Sequence, residues 1–86
     1  MDNKTRIKVL ELSFNIMENL LVSKDFKDKA ELMTAAKKGV DISNKDEKMP
    51  IELKLAYAEA YSKLDSLSWE EILEIKDIIT EWFVKN

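Results

Sequence analysis

The scarcity of chain-breaking residues is the feature that most restricts how this chain can fold. Its 86 residues include a single glycine, Gly39, and a single proline, Pro50. Folds rich in β-strands need many tight turns, and glycine and proline are among the residues that most often form them. The sequence therefore argues against a β-rich fold and favours a few long helices joined by a few connections.

Apolar residues recur at helical spacing in four segments of the chain, which is the pattern of amphipathic helices. The predicted helices cover about residues 4–22, 25–38, 50–65 and 69–84. We expect an all-α fold, a compact bundle of these four helices in one domain that spans residues 1–86. Dimerisation is one way in which so small a bundle could be completed, because it adds buried apolar surface.

The clearest start signal precedes the last predicted helix. Ser68 and Glu71 have the spacing of a capping box, in which each side chain bonds the backbone N–H of the other residue. Leu67 and Ile72 have the spacing of a hydrophobic staple. Both tryptophans also lie in this segment. We therefore expect the last helix to be the central one, around which the other helices pack.

The first and last predicted helices have apolar arcs of roughly 220°, about twice the ~100° stripe that a peripheral helix buries. Either the bundle buries these arcs in its own core, or part of them contacts another chain. In the first helix a heptad-like row is formed by Ile7, Leu10, Phe14, Met17 and Leu21. The predicted self-association residues, beside this row and in the last helix, are Val9, Leu12, Ile16, Leu20, Trp82 and Phe83.

Four carboxylates share the side of the last helix that lies opposite its apolar arc. These residues are Glu70, Glu74, Asp77 and Glu81. Their spacings of four, three and four residues place them in one row along the helix. The row is either a solvated face or a contact surface for a basic partner. Residues 49–86 carry a net charge of −4 and residues 1–48 a net charge of +1, so a basic partner would meet the C-terminal half.

The remaining segments predict the connections. Gly39 follows two lysines, which is a typical helix end, so residues 40–49 are predicted to form a polar loop. Pro50 suits the first turn of the third helix. Tyr57 and Tyr61 lie one turn apart in that helix and are either core residues or interface anchors. Small residues that would let a neighbouring helix approach closely are Ala56, Ala58 and Ala60.

Several chemistries lack the residues that they require. The chain has no cysteine and no histidine, so it lacks a thiol nucleophile, the usual general base and the commonest metal ligand. It has no glycine-rich phosphate loop. Residues 41–52 begin and end like an EF-hand loop, but Asp46 replaces the required glycine and Pro50 interrupts the loop. We therefore expect no enzymatic activity, no cofactor and no metal site.

These observations predict a small protein-interaction module, of the regulator, inhibitor, immunity or phage-accessory type, that binds another protein stoichiometrically and forms a homodimer. The alternative is a small DNA-associated transcriptional or phage regulator, or an acidic mimic of nucleic acid. Nucleic-acid binding is disfavoured because the acidic row repels phosphates and Arg6 is the only arginine.

The expected surroundings of the protein follow from its apolar segments. No apolar run has the length of a signal peptide or of a membrane span, so we expect a cytoplasmic protein that does not contact a membrane. The lysine-, glutamate-, isoleucine- and asparagine-rich composition is compatible with an AT-rich bacterial or phage genome. In size and helix number the chain resembles small helical immunity, inhibitor and phage accessory proteins.

Overall fold

The computed structural model describes the backbone of residues 2–85 and the side chains of residues 2–82. The helices are α1 (Asn3–Ser23), α2 (Lys29–Lys45), α3 (Ile51–Ser66) and α4 (Trp69–Lys85). No residue in the described part of the chain is in a β-strand. The predicted all-α fold of four helices is confirmed.

Aspartate side chains define where the first two helices begin. The Asp2 carboxylate accepts the Thr5 N–H at 2.8 Å, and the Asp28 carboxylate accepts the Glu31 N–H at 2.9 Å. The second helix was predicted to begin at residue 25, and this is wrong. Phe26 is buried in the core, so the segment before Asp28 must bend inward, and the helix begins only after that residue.

The capping box that the sequence predicts for the last helix is present. The Ser68 N–H donates to Oε1 of Glu71 at 2.9 Å, and the Glu71 N–H donates to Oγ of Ser68 at 3.1 Å. Accepting this bond lowers the pKa of the Glu71 carboxyl below its ordinary value. α3, in contrast, begins after Pro50 without a side-chain cap.

Gly39 does not end the second helix, contrary to the prediction. α2 continues to Lys45, so the predicted loop over residues 40–49 is reduced to residues 46–50. The backbone of Gly39 has no positive φ. The last turns of α2 are helical because they pack inward: Ser43 is fully buried, and its hydroxyl donates to the Val40 carbonyl at 2.8 Å. Gly39 instead marks a close approach to α3, because a Cβ there would lie 3.3 Å from the Tyr57 ring.

The central helix of the fold is α3, and the prediction that the last helix is central is wrong. α3 packs along its length against both α1 and α2, whereas α4 contacts mainly α1. Ala56, Ala60 and Leu64 are buried on α3. Because two of these three residues are alanines, the neighbouring helices can approach the α3 backbone closely. Ala58, in contrast, is exposed.

The face that α1 buries is set by its contact with α3. Its buried residues are Val9, Ser13, Met17 and Leu21. Ser13 fits this apolar contact because its hydroxyl donates to the Leu10 carbonyl at 2.7 Å. The predicted heptad-like row is buried only in part, because Ile7 and Phe14 are more than half exposed. A serine thus occupies a core position that apolar periodicity alone did not identify.

The core joins all four helices and the segment between α1 and α2. Its buried members are Met17, Leu21, Phe26, Leu32, Ala60, Leu64 and Ile72. The Lys29 ammonium group donates to the backbone carbonyls of Asp65 and Leu67, at 2.8 and 2.6 Å, and so satisfies acceptors at the end of α3. The Lys76 ammonium group of α4 is paired with the Asp25 carboxylate. No helix in the described part of the chain has both the length and the apolarity to cross a membrane.

Candidate protein-binding groove

An open groove of about 290 Å³ lies between α1 and α2, with α3 as its floor. It exists because α1 and α2 each pack on α3 but make few contacts with each other. The floor consists of Tyr57, Ala60, Tyr61 and Leu64, and the walls consist of Ile16, Asn19 and Leu20 on α1 and Ala35, Ala36 and Gly39 on α2. Within the described part of the chain, no residue of α4 lines it.

The surface of this groove is apolar and carries few polar groups. The lining residues include no charged side chain. The polar side-chain groups are the amide of Asn19 and the hydroxyls of Tyr57 and Tyr61, and both tyrosines are half-buried. A surface of this kind can bury apolar side chains of a ligand and offer them a few hydrogen bonds. Among the described residues, the titratable groups of the lining are the two tyrosine hydroxyls, and the lining includes no carboxylate, imidazole, thiol or amine.

Charged residues of both signs flank the α2 wall of the groove. On α2, Lys38 and Lys45 lie three and ten residues after Ala35, so helical periodicity places them at the flank of the groove side of that helix. Glu31 lies one turn before Ala35 on the same side and is half-buried. Both lysines are exposed. Ile42 lies between the two lysines of α2 and is 58% exposed, which extends the apolar wall beyond Gly39.

The predicted self-association residues occupy several different environments. Ile16 and Leu20 line the groove, and Leu12 is half-buried one turn before Ile16. Val9 is buried in the contact with α3 and is not accessible to another chain in this fold. Trp82 is 70% exposed on α4. The remaining candidate, Phe83, has a side chain that lies outside the described residues. The five described candidates therefore do not form one surface.

The predicted acidic row lies on the outer face of α4, opposite the buried Ile72. Its exposed residues are Glu70, Glu74, Asp77 and Glu81. Apolar side chains flank the row, with Leu73 on one side and Ile78 on the other, and Ile78 is 64% exposed. Lys76 points away from this face, toward Asp25, and the bond with Lys76 lowers the pKa of the Asp25 carboxyl. The outer face of α4 thus combines negative charge with exposed apolar side chains.

Another apolar surface lies on α1 away from the groove. Ile7 and Phe14 are two turns apart and are both exposed. The Lys63 ammonium group lies 5.8 Å from the centroid of the Phe14 ring, so a cation–π contact covers part of that side chain. Neither residue lines the groove.

The sequence did not identify the groove residues on α2. The available signal was the row of small residues Ala35, Ala36 and Gly39, because side chains of this size leave a helix face open. The row was not assigned because Gly39 was interpreted as a helix end. Comparisons of the chain with protein-family models, with curated proteins and with solved structures gave no match.

Proposed function

We propose that this chain is a non-enzymatic, cytoplasmic protein-binding module that acts by stoichiometric binding, as a regulator or inhibitor. The observation that carries the proposal is the open apolar groove between α1 and α2. Ile16, Leu20, Tyr57 and Tyr61 keep accessible surface there. An apolar groove of this kind gains binding free energy when a ligand side chain displaces water from it.

The shape of the groove favours a helical ligand. Two helices form its walls and a third forms its floor, so a further helix placed there would pack as a neighbour in a bundle. Amphipathic helices bind such grooves through apolar residues spaced three or four apart. The expected ligand is therefore an amphipathic helix that presents one apolar row to the groove.

A variant that blocks the groove tests this proposal. Asn19 is exposed and lies on the groove wall, so Asn19→Arg puts a long, charged side chain at the entrance without removing a core contact. Asn44→Arg is the matched control, because Asn44 is also exposed on a helix but does not line the groove. Circular dichroism and urea unfolding should show that both variants fold like the wild type.

The binding measurement compares three forms of the tagged protein in extracts of the native host. We expect the wild type and Asn19→Arg to differ in one captured protein, which Asn44→Arg retains. Calorimetry with that purified protein should then give a 1:1 complex that Asn19→Arg weakens at least about tenfold, or ~1.4 kcal/mol. Equal binding by all three forms would overturn the proposal. Binding to random duplex DNA with a steep dependence on salt would instead support a DNA-associated regulator.

A further inference from the structure

We propose that, when the protein is alone, the groove is occupied by the outer face of α4 from a second copy, and that the exchange is reciprocal in a two-fold dimer. This inference rests on the proposed function in that it uses the same groove as the binding surface. It adds the identity of one occupant and the surface by which that occupant binds.

The occupying surface is centred on Ile78. This side chain is 64% exposed, and Glu74 lies one helical turn before it on the same side of α4. Trp82 follows Ile78 by one turn and is 70% exposed. Ile78 is therefore the accessible apolar residue on which the proposed contact is built.

The charges of the two surfaces are complementary. The outer face of α4 carries Glu70, Glu74 and Asp77, while Lys76 is turned toward Asp25 of its own chain. Lys38 and Lys45 flank the α2 wall of the groove. When Ile78 enters the apolar groove, the neighbouring carboxylates of α4 come close to these ammonium groups. Opposite charges around an apolar contact fix its orientation more than they add to its affinity.

The exposed area leaves room for such a contact. A compact monomer of 10.0 kDa should expose about 5,200 Å², whereas this chain exposes 6270 Å². The excess of about 1,000 Å² is similar to the ~800 Å² that each partner buries in a standard interface. Each copy contributes one groove and one α4, so in the proposed two-fold arrangement both pairs form together and the assembly closes at two copies.

The mass in solution is the first measurement. Sedimentation equilibrium at micromolar concentration should give twice the monomer mass of 10.0 kDa. Ile78→Lys should lower the association constant at least about tenfold, because a truncated or charged anchor costs more than ~1.4 kcal/mol. Ile7→Lys is the matched control, since Ile7 is 57% exposed on α1 away from the groove, and it should leave the dimer unchanged. A monomer at every concentration, or assemblies that grow beyond two copies, would overturn the dimer.

Charge reversal tests which surfaces meet. Lys38→Glu and Glu74→Lys should each weaken the dimer about tenfold, because each places like charges together. The double variant should recover most of the loss, since it restores opposite charges. Losses that simply add in the double variant would show that these two residues do not face each other, and would overturn the proposed arrangement.

Disulfide trapping provides the decisive geometric test, because the chain has no cysteine of its own. Mixed Asn19→Cys and Ile78→Cys proteins should form a disulfide between different copies, in preference to a mixture of Ile7→Cys and Ile78→Cys. Equal trapping of both mixtures would overturn the inference.

If the protein is monomeric and untrapped but Asn19→Arg still loses a host partner, the inference fails while the proposed function stands. If the dimer forms but no host protein depends on Asn19, the proposed function fails instead.

Discussion

α3 and α4 show that the strength of a helix signal and the position of the helix in a fold are separate properties. α4 has the capping box, both tryptophans and an apolar arc as wide as that of α1, yet it packs mainly against α1 and exposes Leu73 and Ile78. α3 has no side-chain cap and carries three alanines on neighbouring turns, yet it lies between α1 and α2. The helix with the weaker local signals is therefore the central one.

The difference has a physical cause in the size of the side chains. A capping box stabilises the first turn of a helix whatever that helix later contacts. It therefore marks where α4 begins but does not determine which helices pack against it. Two neighbours can pack closely on one helix only where its side chains are short, as they are at Ala56 and Ala60. Large apolar residues over a wide arc, as in α4, keep neighbours apart and leave some of those residues exposed.

The largest expected contrast comes from the same substitution in the two helices. Leu64→Ala in α3 should reduce the free energy of unfolding by about 2–5 kcal/mol, because Leu64 is 1% exposed and its removal leaves a cavity. Leu73→Ala in α4 should cost less than about 1 kcal/mol, since that side chain is 40% exposed. Urea unfolding followed by circular dichroism measures both. Similar losses in the two variants would contradict the central position of α3.

A second contrast lies within α3 itself. Ala56→Leu should destabilise the fold by about 1–3 kcal/mol, because the added atoms overpack a contact that is 0% exposed. Ala58→Leu is the matched control. Ala58 is exposed at a depression of about 520 Å³ between α1 and α3, which has room for a larger side chain, and the change there should stay within about 0.5 kcal/mol. A large loss for Ala58→Leu would show that α1 approaches α3 along a different face.

Local signals were sufficient for the fold class and for the start of α4. Helical periodicity identified all four helices, and Ser68 with Glu71 formed the predicted bonds. Packing was not predictable by the same reasoning. Gly39 resembles a helix end in sequence but is a contact with Tyr57 in the structure, and only the position of α3 distinguishes the two. The groove is harder still, because it depends on a distance between α1 and α2 that no local pattern encodes.

Substitution of Gly39 by alanine is expected to raise the stability of the fold, whereas the substitutions above lower it. Because its backbone is right-handed helical, Gly39→Ala should gain up to about 1 kcal/mol of stability from helix propensity. The new Cβ would lie 3.3 Å from the Tyr57 ring, but that ring borders the open groove and can shift by the few tenths of an ångström required. Gly39→Leu should instead lose about 1–3 kcal/mol by overpacking. A loss of stability in Gly39→Ala would mean that the Tyr57 ring is fixed by its neighbours.

The smallest expected effect is a pH dependence of stability that arises from two carboxyl groups whose bonds anchor α4. The pKa of Glu71 is lowered by its bond with the Ser68 N–H, and the pKa of Asp25 is lowered by its bond with Lys76. A carboxyl whose pKa is lower in the folded state stabilises the fold above its unfolded pKa, about 3.9 for Asp and 4.3 for Glu, and this stabilisation is lost as pH falls through the folded pKa.

The urea midpoint should therefore decline as pH is lowered below about 4.3, and it should decline less in a double variant with Glu71→Gln and Asp25→Asn. Both groups are exposed, so the effect is small. An identical pH dependence in the wild type and the double variant would mean that the charges of these two carboxylates add no measurable stability to the fold.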